Sequence, residues 1–377
     1  MALSKVDLAN QVENQLPQNL VANNLPFRNI IINGDMSIAQ RGTSATGLGE
    51  GDSGYHTCDR WRFAELGTPT YEFTQTQSTD VPSGQGFAKS LKMDVTTAQG
   101  SLASSDLLRI QHLIEGQNLQ YLKKGTANAE SLTLSFWVKS NKTGTYIAEL
   151  VDVDNTRTIS KSYTIDSASI WEKKTITYDG DTTGAFDNDN SASLYLQFYL
   201  LAGTDYTSGT LQTSWGANVN ANKAVGQVNL ADSTSNEWLI TGVQLEAGTT
   251  ASDFEFLPYD VNEQRCFRYY WKYAEGYAVH FGTASCYSTS QLLAFIAPSV
   301  KLRATPSLEL VSGTNFFRLY SNGLFQFNAF ALTGGQTGNV ISIYADGSHG
   351  VSGLTGGYAG YLLTLDASCK IAFSAEL

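Results

Sequence analysis

Charge is scarce in this chain. Only 16% of its 377 residues are Asp, Glu, Lys or Arg, well under the usual quarter of a soluble domain. The surface therefore falls to Ser, Thr, Asn, Gln and Gly. Clustered positive charge is scarcer still. The densest basic spots are the isolated pairs Lys123-Lys124 and Lys173-Lys174, and the formal net charge is −11. A groove that follows a phosphate backbone needs a basic stripe, so nucleic acid is excluded as a partner. No apolar run approaches a membrane span, and "MALSKVDLANQVENQL" lacks the apolar core of a signal peptide. The expectation is synthesis in a cytoplasm and no membrane insertion.

Chemistry-bearing motifs are also missing. The four cysteines, Cys58, Cys266, Cys286 and Cys369, show no CxxC or metal-finger spacing and read as free buried thiols. The four histidines, His56, His112, His280 and His349, sit far apart without HxxxH or HxH neighbours, which leaves no local metal pair. No GxSxG, P-loop or Rossmann fingerprint occurs. Proline is rare, 7 residues against 34 glycines. Low charge, abundant Gly and Thr and few prolines suit an all-β protein.

What is present reads as strands. "SLTLSFWVKS" alternates Leu132, Leu134, Phe136 and Val138 on one face with Thr133, Ser135 and Trp137 on the other. "TYIAELVDV" follows across Asn141-Lys142-Thr143-Gly144, and the pair predicts a hairpin. "EKKTITYDG", "ASLYLQFYLLAG" and "NEWLITGVQLEAG" add further strands, the second apolar enough to be central. "SSDLLRIQHLIEG" fits a short helix or a strand. This spacing of strands and Gly/Asn-rich turns predicts two antiparallel sheets packed as a sandwich. After Pro258, "YDVNEQRCFRYYWKY" reads as a charged hinge running into aromatics. A second β region follows, with Ser321-Asn322-Gly323 as a hairpin turn and a closing strand "CKIAFSAEL". The predicted organisation is an arm over residues 1–26, a β domain over 27–260 and a smaller β-sandwich over 261–377.

Four groups of residues could carry function. Leu8, Val12 and Leu16 recur every four residues, the stripe of a short helix; it suits either a frayed terminus or an arm that docks on a partner. The acidic loop from Asp179 to Asn190 offers Asp179, Asp181, Asp187 and Asp189 as oxygen ligands for Ca²⁺, although Asp and Asn are common in turns. Trp215 and Tyr206 sit on Gly/Asn-rich loops, where an aromatic face could stack on a sugar or could pack down on its own domain. Trp61, Trp137 and Trp238 lie in strand-like sequence and read as core or sheet packing. Asp35, Asp59 and Glu65 are the first acidic candidates for glycoside chemistry, with Asp59 more simply holding Arg60 or capping a turn.

In order along the chain come "NIIINGDMSIAQRG", "YHTCDRW", "LSFWVKS", "WLITGVQLEAGTTASDFEF" and "RCFRYYW". This series resembles bacteriophage virion proteins of the tail-fibre type, and the likeness runs from about Phe27 to Leu310, where "VKLRATPSLEL" resembles a stretch common in their distal domains. Met36 and Ala39 stand where that family carries Phe and Trp. The resemblance implies a jelly-roll domain similar to carbohydrate-binding modules, opened by Asn33-Gly34-Asp35 as strand and turn, and a distal β domain. It implies a virion location, contact with other phage proteins, a homotrimer and a host surface glycan as receptor. It carries no catalytic residues. A tail-fibre or spike subunit is expected, with a head fibre or capsid decoration protein as the alternative. A polysaccharide depolymerase is disfavoured because no β-helix repeats occur.

Overall fold

The computed structural model describes residues 27–334 and 337–377; the stripe of Leu8, Val12 and Leu16 lies outside them. The chain divides into two compact units that meet between Leu257 and Pro258. The first is a jelly-roll β-sandwich. One sheet orders β1 (Ser44–Leu48), β4 (Glu72–Ser78), β5 (Ser90–Thr97), β13 (Glu237–Ala247), β7 (Leu132–Ser140) and β10 (Glu172–Tyr178). The other orders β12 (Gly216–Ala217), β9 (Arg157–Ile165), β8 (Gly144–Asp152), β11 (Ala192–Ala202), β6 (Leu107–Glu115), β3 (Arg62–Leu66) and β2 (Gly54–Tyr55). Every pairing is antiparallel. Alternate residues of both sheets, among them Phe63, Leu134, Phe136, Leu150, Phe198 and Trp238, fill one continuous core.

The expected hairpin between "LTLSFWVKS" and "TYIAELVDV" is instead a corner. β7 pairs with β10 and β13, whereas β8 pairs with β9 and β11 in the opposite sheet. Tyr146 braces this corner, its hydroxyl donating to Lys142 O at 2.9 Å. Both strands bury one apolar face in the same core, so their alternation is the same for a hairpin and for a corner. The ambiguous "LLRIQHLIE" is strand β6, and "ASLYLQFYLLA" is the central β11 flanked by β8 and β6.

The opening stretch forms no strand. Residues 28–43 run as a buried irregular segment in which Asn33 and Met36 take positive φ, 58° and 59°. The Asn33 side chain sets this path: its Nδ2 donates to Ile38 O and to Asp59 O, and its Oδ1 accepts from Ile38 N. The Asp59 carboxylate takes the Gln40 backbone N–H and side-chain amide, and Trp61 Nε1 donates to Asn33 O at 3.0 Å. The segment lies against β13, with Ile30 N donating to Leu245 O and Val243 N to Gly34 O.

A clasp joins the two ends of the unit. Glu255 accepts from Phe27 N at 2.6 Å and Asn29 N at 2.9 Å, and Arg28 donates to Ser252 Oγ and Asp253 O.

The second unit opens with a helix, α1 (Tyr259–Phe267), where the sequence suggested a hinge. Its smaller sheet orders β14 (Tyr270–Glu275), β23 (Lys370–Ser374) and β17 (Ser307–Val311). Its larger sheet orders β19 (Leu324–Phe327), β18 (Phe317–Tyr320), β22 (Ala359–Thr364), β15 (His280–Cys286), β16 (Leu292–Ile296), β21 (Ile341–Ala345) and β20 (Ala331–Leu332). The two share a core of Phe281, Phe317, Phe327, Ile371 and Phe373. The hairpin at Ser321-Asn322-Gly323 forms, and the closing strand is central in its sheet. All four cysteines are buried and free.

Candidate functional site: a polar cleft on the seven-stranded sheet

The strands β3, β6, β11 and β8 place polar residues in register on the side of the sheet away from the core. Arg62 stands opposite Gln111, Gln111 opposite Gln197 and Gln197 opposite Glu149. Their neighbours along each strand, Phe63, Ile110, Leu196, Ala148 and Leu150, belong to the core, as the two-residue period of a strand requires. The row is hydrogen-bonded end to end. Arg62 donates to Gln111 Oε1 at 3.4 Å, Gln111 Nε2 to Gln197 Oε1 at 2.5 Å, and Gln197 Nε2 to Glu149 Oε2 at 3.0 Å. Tyr199 and Thr158 donate their hydroxyls to the same carboxylate.

The long connection from β11 to β13 covers part of this face. It brings Tyr206 and Ala224 onto Leu107, Ile147 and Tyr199, a small apolar cluster of their own. It also leaves Glu149 with no solvent exposure. Burial pushes the Glu149 carboxyl up, against the opposing pull of Lys223, the Thr158 and Tyr199 hydroxyls and Arg109. Beyond that cover the sheet opens into a cleft of about 550 Å³. Arg62, Glu65, Arg109, Gln111, Tyr195, Gln197, Asn218 and Lys223 are in its lining. Such a surface suits a ligand dense in hydroxyl and charged groups.

No protein-family model and no curated protein matches the chain. Solved structures resemble it at low scores. A bacteriophage CBA120 tailspike protein 4 enzymatically active domain aligns with 59% of this chain at 14% identity and TM-score 0.32. The aligned part is only 22% of that tailspike chain. A CBM4 structure aligns over 57% of this chain and 97% of its own, at 10% identity and TM-score 0.29. A family 11 carbohydrate-binding module of a cellulosomal cellulase from Clostridium thermocellum covers 53% and 94%, at 11% identity and TM-score 0.27.

Of the residues singled out from sequence, Glu65 lines the cleft, whereas the aromatic and calcium candidates are placed elsewhere. Trp215 packs down on its own domain: it is half-buried against the core, donates Nε1–H to Asp179 O at 2.7 Å, and lies 5.7 Å from Lys124 Nζ. Tyr206 is buried at 8% exposure where the long connection packs on the sheet. Tyr206 therefore offers no free ring face. The calcium reading of Asp179, Asp181, Asp187 and Asp189 also gives way. Asp181 is held by protein cations, Arg157 Nε at 2.7 Å and Lys124 Nζ at 3.1 Å, with Asp152 completing the cluster on Lys124 at 2.5 Å. Asp189 instead accepts from Ser191, and the described residues contain no acidic, His or Cys group arranged for a metal. Trp137, expected in packing, is half-buried and lines a second cavity of about 390 Å³ with Phe87, Phe254 and Phe256.

The cleft residues carry a signal in the sequence. In "LLRIQHLIE" Arg109 and Gln111 alternate with Leu108 and Ile110, and in "SLYLQFYLL" Tyr195, Gln197 and Tyr199 alternate with Leu196 and Phe198. Polar residues at period two inside the most apolar strands mark a second, ligand-facing side of the sheet.

Proposed function

We propose that the chain is a glycan-binding subunit that holds a saccharide in the cleft of its first unit without cleaving it. The hydrogen-bonded row Arg62–Gln111–Gln197–Glu149 carries this reading. Amide groups fixed in position before the ligand arrives lose little freedom on binding, and sugars present the matching donors and acceptors. The carboxylates support binding without hydrolysis. Glycoside cleavage needs two carboxyls directed at one bond, whereas Glu149 is held by Thr158, Tyr199 and Gln197, and Glu65 by Gly51 N–H and Ser53.

At finer grain the chain is a bacteriophage tail-fibre or spike subunit, attached to other virion proteins through residues 1–26 and binding a host surface glycan. The ordered motif series from Phe27 to Leu310 supports this. Self-association as a trimer is supported by an exposed apolar row on the second unit. There Leu324, Tyr320 and Tyr361 lie in register and the two tyrosines stack at 4.9 Å, a surface suited to a symmetry mate.

The test is a glycan microarray of bacterial surface saccharides. Binding is expected, weakened about tenfold by Gln197→Ala through loss of a buried hydrogen-bond link and kept by Trp215→Ala. No binding to any glycan overturns the reading, and release of reducing ends from a bound saccharide replaces it with hydrolysis. Labelled particles in electron microscopy place the chain on tail, head or neither.

A further inference from the structure

The cleft holds more positive charge than its own carboxylates answer. Arg62, Arg109 and Lys223 line it, in a chain whose net charge is −11. The two acids nearby are already satisfied by neutral donors. Glu149 takes the Thr158 and Tyr199 hydroxyls and the Gln197 amide; Glu65 takes Gly51 N–H at 3.1 Å and the Ser53 hydroxyl at 3.5 Å. The cations are not satisfied in the same way. Among the described residues, no carboxylate lies within 4.0 Å of the charged groups of Arg62, Arg109 or Lys223.

Lys223 is the sharpest case. It is only 8% exposed, and among the described residues its ammonium has no hydrogen-bond acceptor. Burial pulls its pKa down, Glu149 acts against this through space, and Arg109 adds to it. Two polar atoms of residues in the cleft lining are buried without a partner, Arg109 Nε and Asn218 Oδ1. Buried polar groups are nearly always paired, and an unpaired buried cation is costly. The cleft lining also contains a single aromatic residue, Tyr195, so stacking on sugar rings has little purchase. A neutral saccharide would leave the cations unanswered.

We infer that the cleft takes a saccharide bearing an anionic substituent, a carboxylate or a phosphate. Arg109 and Lys223 meet the anion, and Arg62 guards the rim. Guanidinium and ammonium groups grip carboxylate and phosphate oxygens through charge-assisted hydrogen bonds. This inference rests on the glycan-binding reading and adds the class of glycan.

The full chain is tested against matched neutral and acidic saccharides: galactotriose beside trigalacturonate, lactose beside sialyllactose, mannose beside mannose phosphate, and host polysaccharides before and after carboxyl reduction. Inorganic phosphate alone serves as the control for a simple anion site. The expected result is binding confined to acidic members and weakened by salt. Arg109→Gln and Lys223→Gln should each lower that affinity about ten- to hundredfold, the range for a lost hydrogen bond to a charged group. Thermal melts confirm that each variant is folded, and the half-exposed Arg62→Gln gives a third reading at a position with little structural load. Equal binding of neutral partners, or affinity unchanged in all three variants, overturns the inference and leaves glycan binding standing. Phosphate bound as tightly as any saccharide overturns the inference too, and no binding to any glycan overturns both readings.

Discussion

Gly34 has no room for a side chain. A Cβ there would stand 2.1 Å from Val243 O, a backbone atom of β13 that already accepts from Asn29. Gly34→Ala must therefore push the opening segment off the sheet. Overpacking of this kind costs about 3 kcal/mol, and a matching fall in urea stability is expected with a native-like spectrum at low denaturant. The same passage explains why its polar residues invite a catalytic reading. Asn33, Gln40 and Asp59 are 1%, 8% and 1% exposed, and their hydrogen bonds go to backbone and to each other. Residue type alone does not separate a buried brace from an active site, since both want short polar groups in fixed positions. What did follow from residue type was the fate of the cysteines and of Trp61 and Trp238, buried as their strand-like or apolar settings require.

Alternation reveals strands well and their partners poorly. The strands β7, β8, β10, β11 and β13 all lie within sequence that reads as β, while the sequence of β6 fits a helix as well as a strand. The corner between β7 and β8 did not, because a sandwich buries one face of each strand whichever sheet it joins. The acidic stretch after β10 misleads for a related reason: four aspartates in sequence attract a metal, yet the fold delivers Lys124 and Arg157 to Asp181 from two other parts of the chain. Burial acts to raise the Asp181 carboxyl, but hydrogen bonds from Arg157, Thr183 N–H and Lys124 prevail and hold it below the ordinary carboxylate value. A lowered folded pKa gives stability that is present above the unfolded value, near about 4, and lost as pH falls through the folded one. Asp181→Asn is expected to cost on the order of 3 kcal/mol near neutrality, as for other broken buried pairs. The gap to the wild type should narrow as urea titrations move below about pH 4.

At the scale of the molecule, two cores stand on either side of Pro258. Residues 27–257 expressed alone should unfold in one cooperative transition and bind glycan as the full chain does. A fragment that is unfolded or loses binding argues that the second unit completes the first. The division into two β regions was visible in sequence through Pro258 and the change of texture around it. The assembled cleft was not: alternation marks the polar side of β6 and β11 one strand at a time, while Arg62 and Glu65 come from β3 and Asn218 and Lys223 from the long connection. The clasp between Phe27 and Glu255 has a mechanical consequence. A chain that enters and leaves its sandwich at one point is pulled at that point. Tension applied through residue 27 and residue 257 loads the Glu255 hydrogen bonds first and leaves the sheets slack until they part. In a pulling experiment the clasp is a fuse: Glu255→Gln should lower the first rupture force and leave the second, the unravelling of the sandwich, where it was.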